Sequence, residues 1–128
     1  MTWREIPWPL KAVPGQAGHL WFVSTQGLYR STDGGARFTR IDGGVQVDQL
    51  DLGAPPPGKA HPALFAIGRK DGVRAIWRSD DEGKSWVRVN DGRHEYGRRF
   101  RCLAADMRVY GRVYVGTDGR GIVYGEPS

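Results

Sequence analysis

The stretch Ser31-Thr32-Asp33-Gly34-Gly35-Ala36-Arg37-Phe38 returns later as Ser79-Asp80-Asp81-Glu82-Gly83-Lys84-Ser85-Trp86. Both copies read Ser-x-Asp-x-Gly-x-x-aromatic, and each follows an aromatic residue and an arginine, Tyr29-Arg30 and Trp77-Arg78. Such a pattern suits a turn between antiparallel strands. Ser and Asp side chains can bond the backbone groups that a turn leaves without ladder partners. Gly35 and Gly83 supply a backbone angle that a Cβ would oppose. Phe38 and Trp86 fold back as apolar plugs between neighbouring elements. Ser31, Asp33, Gly35 and Phe38, with Ser79, Asp81, Gly83 and Trp86, are therefore read as structural, with no catalytic part.

The repeat extends outward from the turns. His19–Thr25 reads as a strand, Gln26-Gly27 as a turn and Leu28–Ser31 as a second strand. Ala63–Gly68 is a strand, Arg69–Val73 a loop, and Arg74–Ser79 the return strand. Arg112–Gly116 and Gly121–Gly125 form a third such pair around Thr117–Arg120. Apolar, β-branched and aromatic runs between Gly-rich turns argue strands throughout, and no run of about 10–12 residues carries a helical period. A repeat of about 48 residues, Ser31 to Ser79, is near the length of a four-stranded propeller blade.

The fold class expected is all-β, an incomplete β-propeller of about three blades. Residues 1–6 would be the outer strand of a preceding blade, 8–41 and 45–90 two blades, and 99–125 three inner strands of a last one. Thr2-Trp3-Arg4-Glu5-Ile6 parallels Arg37-Phe38-Thr39-Arg40-Ile41 and Ser85-Trp86-Val87-Arg88-Val89. Met1 is thus expected to fall inside a further turn of the same type, as in a shortened reading frame or a cut chain.

With 128 residues and a formal net charge of +5, the chain is at most one domain. Arginines gather late, at Arg93, Arg98, Arg99, Arg101, Arg108, Arg112 and Arg120. They spread over loops and strands rather than forming one basic stripe, which argues against nucleic acid as a partner. Cys102 is alone, so neither an intrachain disulfide nor a thiolate metal cluster is expected. His19, His61 and His94 share no metal-ligand spacing, and no cofactor is expected. No segment reads as a membrane span or a signal peptide. Pro-rich Ala54-Pro55-Pro56-Pro57-Gly58 is read as a loop between strands of one blade.

Several stretches carry a resemblance. His61-Pro62-Ala63-Leu64-Phe65, Ile76–Asp81, Trp86–Asp91, His94–Gly97 and Arg108–Gly125, with Lys11–Gly15 and Gly27–Gly35 upstream, resemble the C-terminal end of the xyloglucan-active glycoside hydrolases of family 74. The repeated octapeptide resembles the Asp-box, or BNR-like, pattern, which also occurs in sialidases, sortilin-like receptors and photosystem assembly factors. The resemblance implies a place late in the second of two seven-bladed propellers, which hold a glucan between them. It implies hydrolysis of internal β-1,4 bonds with inversion, by two aspartates that lie upstream of the matching region. Such enzymes need one protonated carboxyl and one carboxylate about 6.5–9.5 Å apart. Neither aspartate maps onto this chain, so catalytic residues here are expected to be none. The family is usually secreted. Asp118 stands where the family usually has Asn, and Arg98-Arg99-Phe100-Arg101-Cys102 replaces a more polar stretch.

Ligand contacts are expected on loops opposite the Ser-x-Asp turns: Arg69–Gly72, Asn90–Gly97 and Thr117–Arg120. Asn90, Asp91, His94 and Tyr96 combine an aromatic ring with short polar groups, as a β-glucan or xyloglucan site requires. Turn chemistry favours the other reading of these residues, in which Asn90 and Asp91 cap a turn and His94 packs between loops. Two functions compete. One is a structural, sugar-contacting propeller segment whose isolated chain is inactive, with a polysaccharide and the remaining blades as partners. The other is a free-standing interaction module that closes by pairing with other copies of itself. A sialidase would need an arginine cluster and a Tyr–Glu pair, a constellation that this sequence does not place.

Overall fold

The computed structural model describes residues 10–89, 100–117 and 122–125. The expected outer strand at residues 1–6 lies outside them. The described residues form strands and turns without a helix. The strands are β1 (Leu10–Ala12), β2 (Leu20–Ser24), β3 (Gly27–Ser31), β4 (Thr39–Ile41), β5 (Gln46–Gly53), β6 (Ala63–Lys70), β7 (Val73–Ser79), β8 (Val87–Arg88), β9 (Phe100–Ala105), β10 (Val113–Thr117) and β11 (Ile122–Gly125). They build antiparallel sheets in the orders β1-β2-β3-β4, β5-β6-β7-β8 and β9-β10-β11. Every neighbouring pair in a sheet is also consecutive in sequence. Each sheet is therefore a meander that needs only short connections.

One hairpin departs from the sequence reading. The loop expected over Arg69–Val73 shrinks to Asp71-Gly72, because β6 runs on to Lys70 and β7 resumes at Val73 with Lys70 opposite it. Asp71 has φ of 53° and Gly72 of 77°. Positive φ at both central residues marks the type I′ turn, whose twist matches that of the flanking strands, and Asp-Gly is a favoured sequence for it. At the outer edge, β8 is only two residues long, but Val89 N donates to Ile76 O at 2.9 Å and continues the pairing.

The sheets pack face to face, and side-chain alternation decides which face meets which neighbour. Trp21, Val23 and Leu28 of the first sheet pack with Leu50, Leu52, Leu64, Ala66, Trp77 and Trp86 of the second. The opposite face of the second sheet carries Phe65, Ile67 and Ile76 against Leu103, Val113 and Val115 of the third. With both faces covered, β6 is fully buried from Ala63 to Ile67. A register shift between Val47 and Gln49 keeps β5 in step with this core. The extra residue places Val47 on the same face as Leu50 and Leu52. The Pro-rich loop joins β5 to β6 within one sheet. Its first residue binds the next sheet, with Ala54 N donating to Asp106 O at 3.0 Å.

Candidate functional site

The repeated turns have a common hydrogen-bond plan. Ser31 Oγ donates to Asp33 Oδ1 at 2.8 Å and accepts from Gly35 N at 3.0 Å, while Arg37 N donates to Asp33 Oδ1 at 3.0 Å. In the second turn Ser79 Oγ donates to Asp81 Oδ1 at 2.8 Å and accepts from Gly83 N at 2.8 Å. Ser85 then donates twice to Asp81, from its backbone N at 2.9 Å and from its hydroxyl at 2.5 Å. Gly35 and Gly83 have φ of 91° and 86°, in the left-handed region that a side chain strains. Ser31 and Ser79 are buried, which leaves their hydroxyls committed to these bonds.

The aromatic ends of the two turns differ. Trp86 is buried among residues of the first and second sheets. Gly43, in the connection from β4 to β5, lies against it so closely that a Cβ there would stand 2.3 Å from Gly83 O and 2.7 Å from Trp86 Nε1. Phe38 is only half-buried and meets the edge of Phe22 at 4.9 Å between centroids. Arginines ahead of the turns span the joints between sheets. Arg30 forms an ion pair with Glu82 of the second turn and lies over Trp21, 5.4 Å from its ring centroid. Arg78 lies over Tyr110, 5.4 Å from that centroid, and the Tyr110 hydroxyl donates to Asp80 Oδ2 at 2.7 Å.

These contacts decide what the carboxyls can do. The hydrogen bond from Ser31, and then that from the Arg37 amide, hold Asp33 below its ordinary pKa. Burial pushes Asp81 up, but the bonds from the Ser85 hydroxyl, the Ser85 amide and Ser79 outweigh it, and the net shift is downward. Asp106 is lowered chiefly by the Arg108 and Val109 amides, which donate to its Oδ1 at 2.8 and 3.0 Å. All three are ionised acceptors at neutral pH, whereas a glycosidase acid must hold a proton. Burial and the bond to Asp80 raise the pKa of Tyr110, so its hydroxyl remains a donor in the joint.

Asn90, Asp91, His94 and Tyr96 lie outside the described residues. Of the other loops expected to meet a ligand, Arg69–Gly72 is the tight hairpin end described above, at the opposite end of β7 from Ser79. Among the described residues no group of three or more His, Cys, Asp or Glu side chains is placed to hold a metal ion. Sequence reading missed the contacts between sheets, including Asp51 Oδ2, which accepts from Ala105 N at 2.7 Å. A partner so distant along the chain leaves no local spacing to read.

Four-stranded antiparallel meanders stacked face to face define blades of a β-propeller. No family model matches the chain. A xyloglucanase of Paenibacillus is 45% identical over 124 residues, covering 92% of this chain and 12% of that protein. A xyloglucanase of Acetivibrio thermocellus is 47% identical over 120 residues, covering 93% and 14%. The crystal structure of the GH74 xyloglucanase from Xanthomonas campestris superposes with a TM-score of 0.80 at 35% identity, over 100% of this chain and 18% of that one. The chain is thus, in sequence and fold, a segment of the GH74 xyloglucanase family. It spans only 12–14% of the length of these curated relatives.

Proposed function

We propose that this chain contributes blades to a xyloglucan-hydrolysing propeller enzyme, giving structure and sugar contacts while the proton-transferring aspartates lie elsewhere. The observation that carries the reading is identity of 45–47% to xyloglucanases over 92–93% of the chain. The turn carboxyls Asp33, Asp81 and Asp106 support it, because each already accepts from its own turn and has its pKa lowered rather than raised as a glycosidase acid requires. Sugar contacts fall to Asn90, Asp91, His94 and Tyr96, the residue types that cover a sugar face and bond its hydroxyls.

Calorimetric titration of the chain with xyloglucan oligosaccharides, paired with a reducing-end assay, tests the proposal. Binding without hydrolysis is expected. Loss of one ring contact in Tyr96→Ala should weaken binding by roughly 2- to 10-fold. Absence of binding overturns the sugar-contact role, and hydrolysis by the chain alone overturns the placing of the catalytic pair.

A further inference from the structure

The first turn borders a cleft at the place where the second turn forms an ion pair. Arg30 lies opposite Thr39 across β3 and β4, and Leu28 lies opposite Ile41, on the face turned toward the second sheet. With Thr32, Asp33 and Arg37 of the turn, Arg30, Thr39 and Ile41 line a cleft of about 230 Å³. That is the space of roughly eight waters of about 30 Å³ each, enough for one small organic molecule.

The unspent groups of this cleft are donors. Arg30 is fixed by Glu82 and by the Trp21 ring, but its Nε–H has no hydrogen-bond partner. Arg37 is exposed, and among the described residues its guanidinium forms no ion pair. Thr32 and Thr39 are exposed and add two hydroxyls. Asp33 is the one acid in the lining, and its Oδ1 is taken by Ser31 and by the Arg37 amide. Such a set calls for a ligand rich in acceptors, and arginine presents its N–H groups in the fork that matches a carboxylate. The second turn supplies an internal comparison. By the repeat, Arg78 and Asp80 hold the places of Arg30 and Thr32. There Asp80 Oδ1 stands 3.3 Å from Arg78 Nε, and Asp80 Oδ2 accepts from the Tyr110 hydroxyl at 2.7 Å. The first turn has a neutral threonine where the second has a carboxylate.

We propose that this cleft binds the carboxylate of a small organic acid, of the size of an acidic monosaccharide, in the place that Asp80 holds at the second turn. Arg37 supplies an unpaired guanidinium, and Arg30 a second one held in position by Glu82. Because Glu82 and Asp33 offset the two positive charges, the affinity lies in the millimolar range. The cleft is at the Ser-x-Asp end of the strands, opposite the end where glucan contacts are expected, and does not depend on them.

Nuclear magnetic resonance titration of the chain with glucuronate tests this, with glucose as the neutral control and phosphate as the alternative anion. The expected result is a saturable shift of the Thr32, Asp33, Arg37 and Thr39 amides with glucuronate and none with glucose. Arg37→Ala should weaken binding by about 10-fold, through loss of one charged hydrogen-bonding partner. Thr32→Asp copies the second turn and puts a carboxylate beside Arg30, and should weaken binding by about 10-fold or more. Both positions are exposed, and circular dichroism establishes that the variants fold. Neutral xyloglucan oligosaccharides should leave the glucuronate shifts unchanged, so this site and the glucan contacts can fail separately. No saturable shift, an equal response to glucose, undiminished binding in Thr32→Asp, or phosphate bound as tightly as glucuronate would each overturn the carboxylate assignment.

Discussion

Asp81 shows how one carboxylate serves as a turn rather than a reagent. It accepts from Ser79, from the Ser85 amide and from the Ser85 hydroxyl, and its pKa is lowered from the ordinary 3.8. The folded state therefore releases this proton more readily than the unfolded chain. A lowered folded pKa contributes stability that is present above the unfolded value and fades as pH falls through the folded one. Asp81→Asn keeps an acceptor oxygen but removes the charge that strengthens those bonds. It should cost about 1–2 kcal/mol at neutral pH. The gap to wild type should begin to close as pH falls below about 4 and vanish only below the lowered folded pKa, where the wild-type carboxyl is neutral as well. Urea unfolding at a series of pH values measures this. A gap that stays constant into acid would show that the charge has no part.

At the scale of elements, the two turns separate the effect of a motif from that of its surroundings. Trp86 and Phe38 hold the same place in the repeat, but Trp86 is enclosed between two sheets and Phe38 rests half-buried on Phe22. Trp86→Ala should cost about 3–5 kcal/mol, as for other buried aromatic truncations, and Phe38→Ala roughly half as much. Thermal or urea unfolding of the two variants decides it, and equal costs would mean that the motif, not burial, sets the energy. The same comparison shows what was legible beforehand. Ser31, Asp33 and Gly35 declare a turn because the bonding partners lie within four residues. The strands around them follow from apolar alternation. Arg69 and Lys70 misled because polar residues at a hairpin end read as loop, although the Asp71-Gly72 turn allows both strands to continue past the core. For the candidate sugar loop, residue types alone carry the reading of Asn90, Asp91, His94 and Tyr96, since adjacent positions on a loop do not dictate which side chains converge.

For the whole molecule, the question is what makes three meanders one body. Much of each apolar face is shared, but one polar residue reaches both neighbours of the middle sheet. Asp51 on β5 accepts from Ala105 N on β9 at 2.7 Å, and its other oxygen lies 3.5 Å from Lys11 Nζ on β1. The Lys11 contact is half-exposed and adds little. The Ala105 amide bond is different, because its loss leaves a part-buried donor without an acceptor, at a cost of about 1–3 kcal/mol. That cost should fall on the docking of the third sheet more than on the joint between the first and second, where Trp21, Leu64, Trp77 and Trp86 interdigitate. In Asp51→Ala, hydrogen exchange at Leu103 and Ala105 should therefore quicken by roughly 10- to 100-fold, while amides of β2 and β3 change little. Exchange that rises equally in all three sheets would mean that they open as one cooperative unit, and Asp51 would then stabilise the array globally rather than fasten its third sheet.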